Sequence, residues 1–518
     1  MKMKKKWLFT LLFVVSIVLA ACSGEKSSSA PKENGGSGSD ISGNTFTYAT
    51  TTDAVGLSPI MTNDTPSANV IDQVYETLFQ RNSETLEIEP LLAESYETPD
   101  ENTWIFKLKE GVQFHDGTPF NAEAVKYTFD KLRDPATGAP RASLLESVEE
   151  ITVEDEYTVK ITTKYPYGAF LAALSHSNSA IVSPTADQKQ DLMKEPVGTG
   201  PFKFVSWTPG DQLVLEANEE YREGASDLKK VVFKVVPEIS TAISMLQTGE
   251  VQFIDNLPTE QIKRLESMDN IDIQKMDGSP INYFAFNHQR ERNQDPEFRE
   301  AVASAIDRDA FVSKLNGLGV RSDSVIGPKV FGYDESADNA GTPYNLEHAK
   351  ELVEKNGYGE QTFKLLTANR ANTTLMAEIV QAQLTEAGFK VEIESLEWAT
   401  YLDSARSGEY DLTFLSWANV TGDGSELFYP NFHSDNVGAS NRAQYSNPAF
   451  DDLVMQSRTT VDQEERAKLL NQANQLMLDD NAVVVMYHGV VTSALDNKYT
   501  GLELDSTGKW SLQNVTGK

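Results

Sequence analysis

Apolar and polar positions follow two rhythms along this chain. In "YTVKITT" (157–163), Tyr157, Val159 and Ile161 alternate with Thr158, Lys160 and Thr162, the two-residue period of a half-buried strand. "NAVVVMYHG" (481–489) is an unbroken apolar run and reads as a strand buried on both faces. In "DQEERAKLLNQANQLML" (462–478), Leu469, Leu470, Ala473, Leu476 and Met477 share one helical face, behind Asp462 as N-cap. "TTLMAEIVQAQLTEAGFKVEI" (373–393) reads as a helix ending near Gly388 and then a strand. "GVQFHDGTPFNAEAVKYTFDKL" (111–132) reads as a strand end, an Asp116-Gly117 turn, and a helix opened by Asn121. Both element types recur throughout without a fixed-period repeat. The pattern predicts an α/β architecture with more than one sheet.

The first residues follow neither rhythm. Lys2, Lys4, Lys5 and Lys6 precede an apolar run from Trp7 to Ala21, shorter than the roughly 20 residues a membrane span needs. Small Ala20 and Ala21 then precede Cys22, the single cysteine of the chain. This is the layout of a cleaved signal peptide, residues 1–21. Leu19-Ala20-Ala21-Cys22 resembles a bacterial lipobox, which implies a diacylglyceryl group on Cys22 as the first mature residue; the alternative is an ordinary secretory signal. The lipobox reading implies an extracytoplasmic protein on the outer face of a cell membrane, of Gram-positive type, touching the membrane only through its lipid. Residues 22–43, rich in Ser, Gly and Lys, read as a flexible leash.

Composition narrows the function classes. Hydrophobic content of 40% and charged content of 24% are those of a globular chain. A formal charge of −32 repels nucleic acid, so no nucleic-acid partner is expected. One cysteine permits no internal disulfide, and the six histidines are scattered without metal-ligand spacing. No G-x-S-x-G, H-E-x-x-H or P-loop motif occurs. His115 beside Asp116 has the makings of a base and its orienting partner, but no nucleophile signature accompanies it, and a turn explains both residues. The expectation is a monomer that is not an enzyme and carries no cofactor or metal. Two other classes stay open: an anchored extracellular hydrolase built on a carboxylate pair, and a peptide-sensing or chaperone-like binding protein without transport.

Several blocks, taken in order, carry a resemblance. "VYETLF" (74–79), "PLLAESYE" (90–97), "GVQFHDGTPFNAEAVKYTFDKL" (111–132), "PVGTGPFKFVSWTPGD" (196–211), "ISMLQTGEVQFI" (243–254), "REAVASAIDRDAFV" (299–312), "AEIVQAQLTEAGFKVEI" (377–393) and "YSNPAFDDLV" (445–454) are similar to the family 5 solute-binding proteins. These are extracellular receptors of ABC importers for dipeptides, oligopeptides, nickel chelates and glutathione. The resemblance implies a two-lobed periplasmic-binding-protein-like α/β fold of type II, large peptide-binding class, with an extra subdomain in the first lobe. The first lobe would span 44–275 with the subdomain near 63–180, the second lobe 276–489, and residues 490–518 would return to the first. Crossovers would fall at "MDGSPINYFAFN" (276–287) and "MYHGVV" (486–491). The implied partners are a small peptide and the permease subunits of an importer.

The same resemblance nominates ligand contacts. A zwitterionic peptide closed into a dry cleft needs an acid for its ammonium and a cation for its carboxylate. In "LSWANVTGDGSELFYPNFHS" (415–434) the first acid after Trp417 is Asp423, either a ligand contact or an Asx turn within Gly422-Asp423-Gly424. Its Trp-x-x-x-Thr-Gly-Asp form is more similar to the glutathione-type branch than to the dipeptide one. Arg370 and Arg442 are the carboxylate candidates, or else surface charges. Trp417 and Tyr429 line the cleft or belong to the core. Tyr445, at a family-matched position, and Thr65 and Ser67, before the first helix, complete the set.

Overall fold

The computed structural model describes residues 45–82, 87–258, 260–369, 371–419 and 421–518, without the side chains of 371, 372 and 399. Residues 1–44, on which the expected signal peptide, Cys22 and the expected leash fall, and Arg370 lie outside the described residues.

One eleven-stranded sheet forms the frame. Its strands run in the order Lys390–Leu396, Thr362–Ala368, Leu412–Trp417, Ile271–Phe286, Val483–Asp496, Phe253–Asp255, Thr45–Thr50, Lys230–Val235, Gln212–Ala217 and Phe202–Thr208, with Gly319–Val320 paired to the side of Val483–Asp496. Two strands, Ile271–Phe286 and Val483–Asp496, pass through both halves. They pair antiparallel from Ile271 to Asp277, lose register between Asp277 and Ile281, and pair again from Ile281 to Ala285. At the break a Cβ on Gly278 would lie 2.7 Å from the Gly489 carbonyl oxygen, so the two backbones approach as only glycine allows there. These strands divide the fold into two lobes.

The apolar pattern sorts the cores accordingly. Phe46, Trp104, Phe106 and Phe253 bury together in the first lobe, and Trp510 from the C-terminal segment joins them, its ring 4.8 Å from Tyr48 and 5.1 Å from Phe253. In the second lobe, Phe284, Phe298, Leu365 and Phe414 cover one face of the sheet. Tyr283, Leu415, Phe432 and Leu470 cover the other. A separate four-stranded antiparallel sheet, Ala93–Asp100, Thr103–Leu108, Thr158–Thr163 and Val148–Asp155, makes the extra subdomain.

Local signals resolve as expected where local physics suffices. Asn121 caps Ala122–Arg133 by accepting from the Ala124 amide at 3.2 Å. Asp462 caps Gln463–Asp479 by accepting from Glu465 at 2.9 Å. The 157–163 strand differs in one respect: Thr158, expected outside, is buried, because the strand lies between two neighbours and Lys107 donates to its hydroxyl at 2.8 Å. His115 and Asp116 form a turn. Gly117 has φ 78°, Asp116 accepts from the Thr118 amide and the Ser183 hydroxyl, and His115 Nε2 meets the Gly200 carbonyl at 2.9 Å. Burial pushes the His115 imidazole down to about 4, leaving it neutral.

Candidate functional site

Three parallel strands of the second lobe locate the site. Thr362–Ala368 lies between Lys390–Leu396 and Leu412–Trp417 and pairs in parallel with both. The chain leaves the middle strand through helix Ala371–Glu386 to one side, then returns through helix Trp398–Ser407 to the other. The two connections diverge at the carboxyl end of Thr362–Ala368, and such a switch point opens a crevice suited to ligand. Trp417, which closes the third strand, is paired with Ile281, where the register breaks. The crevice therefore opens toward the first lobe.

The loop after Trp417 is held from within. Asp423, 3% exposed, accepts from Arg466 Nη2 at 2.9 Å with both oxygens, and from the Ser425 amide and hydroxyl at 2.9 and 2.7 Å. Arg466, 1% exposed, also donates to the Ser457 carbonyl and to Gln463, and lies 4.8 Å over the Phe331 ring. Burial alone would raise the Asp423 carboxyl; the Arg466 guanidinium and the Ser425 donors hold it below its ordinary value. Of the two readings of Asp423, the Asx turn is present, with the Ser425 amide on its side chain, and its carboxylate is paired with Arg466.

Three hydrogen bonds join this part of the second lobe to the first. Arg81, at the end of strand Phe79–Arg81, donates to the Thr421 carbonyl. Further along, the Gly168 amide donates to the Arg458 carbonyl at 2.8 Å and the Tyr167 hydroxyl to Glu426 at 3.1 Å. Arg458 Nη1 closes on the same Glu426 oxygen at 2.7 Å while its guanidinium covers the Tyr429 ring at 4.1 Å. Burial raises the Glu426 carboxyl, against the pull of Arg458. Sequence reasoning passed over Arg81, Tyr167, Gly168, Arg458 and Arg466. Their significance lies in partners between 32 and 340 positions away, which no spacing reveals.

The remaining nominated residues divide. Trp417 is half-buried at the crevice edge and packs on the second-lobe core. Tyr429 is half-buried beneath Arg458. Arg442 is half-buried in the second lobe, with its backbone carbonyl accepting from the Tyr410 hydroxyl. Thr65 is exposed in the first turn of helix Thr65–Val74 rather than before it. Two are core residues. Ser67 is fully buried, its hydroxyl accepting from the Val55 amide at 3.0 Å. Tyr445 is buried against His288 and Phe450 with its hydroxyl donated to Asp480 at 2.7 Å. Both spend their hydroxyl groups on partners inside the fold.

The family model for bacterial extracellular solute-binding proteins, family 5, matches residues 87–439. The chain belongs to this family. It is 30% identical to heme-binding protein A of Haemophilus influenzae over 96% of each chain. It is 31% identical to the glutathione-binding protein GsiB of Shigella flexneri, covering 86% of this chain and 89% of that one. Among solved structures it is similar to HbpA2 of Haemophilus parasuis, with TM-score 0.85 and 25% identity over 92% of this chain and all of that one. It also matches DppA of Helicobacter pylori in complex with the peptide STSA, with TM-score 0.74 and 27% identity, over 91% and 98% of the two chains. These relatives are solute-binding receptors rather than enzymes, and proteins of this family work outside the cytoplasm. Among the described residues no helix is long and apolar enough to cross a membrane, and no cluster of metal-ligating side chains occurs.

Proposed function

We propose that this receptor captures short peptides between its lobes and delivers them to the permease subunits of an ABC importer. The observation that carries the reading is the switch-point crevice of the second lobe, bordered by the loop that holds Thr421 and Asp423, with Arg81 of the first lobe on the Thr421 carbonyl and Gly168 of the first lobe on the Arg458 carbonyl. The kinship with a glutathione-binding protein and a peptide-bound DppA supports it. Residues 44–275, with a subdomain near 63–180, and 490–518 are taken as the first lobe, and 276–489 as the second. The lobes close over ligand by rotation where the two long strands lose register. Trp417 and Tyr429 line the cleft, Thr65 borders it, and Arg370 and Arg442 receive carboxylates. Glutathione or a similarly short peptide is the favoured ligand. The receptor works as a monomer.

Calorimetry with glutathione, a dipeptide, a pentapeptide and heme, paired with small-angle scattering, tests this. At least one peptide is expected to bind and to reduce the radius of gyration. Binding of heme alone, or demonstrated peptide binding with no compaction, contradicts the reading.

Anchoring through Cys22 is part of the proposal. Two acyl chains give stable attachment where one is marginal. The Cys22→Ala protein is expected to leave the membrane fraction for the medium or the soluble extract. Retention equal to wild type in fractionation rules out a lipid anchor there.

A further inference from the structure

Arg442 is an anomaly among the described arginines. Every other described arginine donates to a carboxylate or carbonyl or sits in an ion pair, from Arg81 on Thr421 to Arg466 on Asp423. Among the described residues Arg442 has no partner for a side-chain hydrogen bond or ion pair, and its Nε is buried without one. A half-buried guanidinium left unpaired is costly, so folding alone gives no reason for it.

Its surroundings are equally specific. Tyr283, Tyr401 and Tyr410 are 2%, 5% and 0% exposed, and each hydroxyl lies within the electrostatic reach of Arg442. Tyr410 donates to the Arg442 carbonyl and Tyr401 to the Phe414 carbonyl. The Tyr283 hydroxyl has no hydrogen bond within the described protein. Two donors without a partner among the described residues, the Arg442 Nε and the Tyr283 phenol, thus lie within electrostatic reach of each other. They lie along a seam. On this sheet face the apolar cluster of Tyr283, Leu415 and Phe432 stays separate from that of Leu366, Tyr401 and Tyr410. Trp417 and Leu415 occupy the same face of their strand, with Trp417 at the crevice. Leu415, which pairs with Tyr283, is therefore about 7 Å further in at roughly 3.3 Å per residue.

We propose that Arg442 and Tyr283 form an anion subsite that receives a carboxylate on a side arm of the ligand, reaching in past Trp417. The preferred substrates are then acidic short peptides with a glutamate-like or γ-linked arm rather than neutral ones. This rests on the peptide-receptor reading and narrows it. A surface field set by a net charge of −32 repels such ligands, so a local cation has to supply their attraction.

The test uses the full chain and tripeptides differing only as Glu or Gln at each position in turn, with glutathione alongside. At one position the wild-type protein is expected to prefer Glu by roughly 10- to 100-fold, as befits a charge-assisted pair. Arg442→Gln should bring that ratio close to one, and Tyr283→Phe should lower it. The ligand-free Arg442→Gln protein should melt no lower than wild type, because no native partner is lost. Equal wild-type affinity for Glu and Gln peptides at every position overturns the subsite while leaving the peptide receptor intact. So does a ratio that survives Arg442→Gln, or a lowered melting temperature with the ratio unchanged. Failure of every peptide to bind wild type overturns both.

Discussion

Replacing Asp423 by alanine is expected to destabilise the protein by about 3–5 kcal/mol, because it strands a buried guanidinium. Arg466 is 1% exposed and uses one nitrogen to reach both Asp423 oxygens at 2.9 Å. Its other bonds, to Ser457 and Gln463, neutralise no charge. Asp423→Ala would also release the Ser425 donors that shape the wall of the crevice. Chemical denaturation of Asp423→Ala, Arg466→Met and the double variant checks this. The double variant should recover part of the loss, since two absent charges cost less than one orphan. The pair also sets an acid limit. The Asp423 carboxyl is held below 3.8 in the fold, so its contribution is present above that value and is lost as pH falls through the lower folded pKa. A change below about 1 kcal/mol on Asp423→Ala would show the pair to be dispensable.

The second large effect is expected at Gly168. A Cβ there would lie 2.0 Å from the Thr460 carbonyl oxygen and 2.4 Å from Arg466 Nε, where the first lobe meets the second. The carbonyl is backbone and cannot swing aside. Crowding of this kind costs about 1–3 kcal/mol, and the strain exists only while the lobes touch. Gly168→Ala therefore shifts the population toward separated lobes. Ligand affinity should fall by roughly 5- to 150-fold, while the subdomain sheet and both lobe cores stay intact. Scattering should give a larger radius of gyration than wild type at equal subsaturating ligand. Unchanged affinity in Gly168→Ala means this contact takes no part in closure.

What the chain declares by itself is what short-range physics decides. The caps at Asn121 and Asp462, the Asp116-Gly117 turn and the apolar rhythm of 462–478 depend on neighbours within a turn or two, so the α/β class was legible. Ordered sequence blocks carried the family, and with it the two-lobed fold. The candidate site was legible only as a region, the stretch after Trp417. Which groups there are free to meet a ligand was decided by pairing across the fold. Asp423 reads equally as a ligand contact or an Asx turn, and only the fold shows that Arg466, 43 positions away, takes both its oxygens. Tyr445 and Ser67 read as accessible until Asp480 and the Val55 amide claimed their hydroxyls. Among the described arginines Arg442 stands apart in having no side-chain partner among the described residues, a property of three-dimensional surroundings and not of residue type. Burial and charge pairing are sums over contacts between distant segments, so tertiary structure alone separates a residue that holds the receptor together from one left free for its ligand.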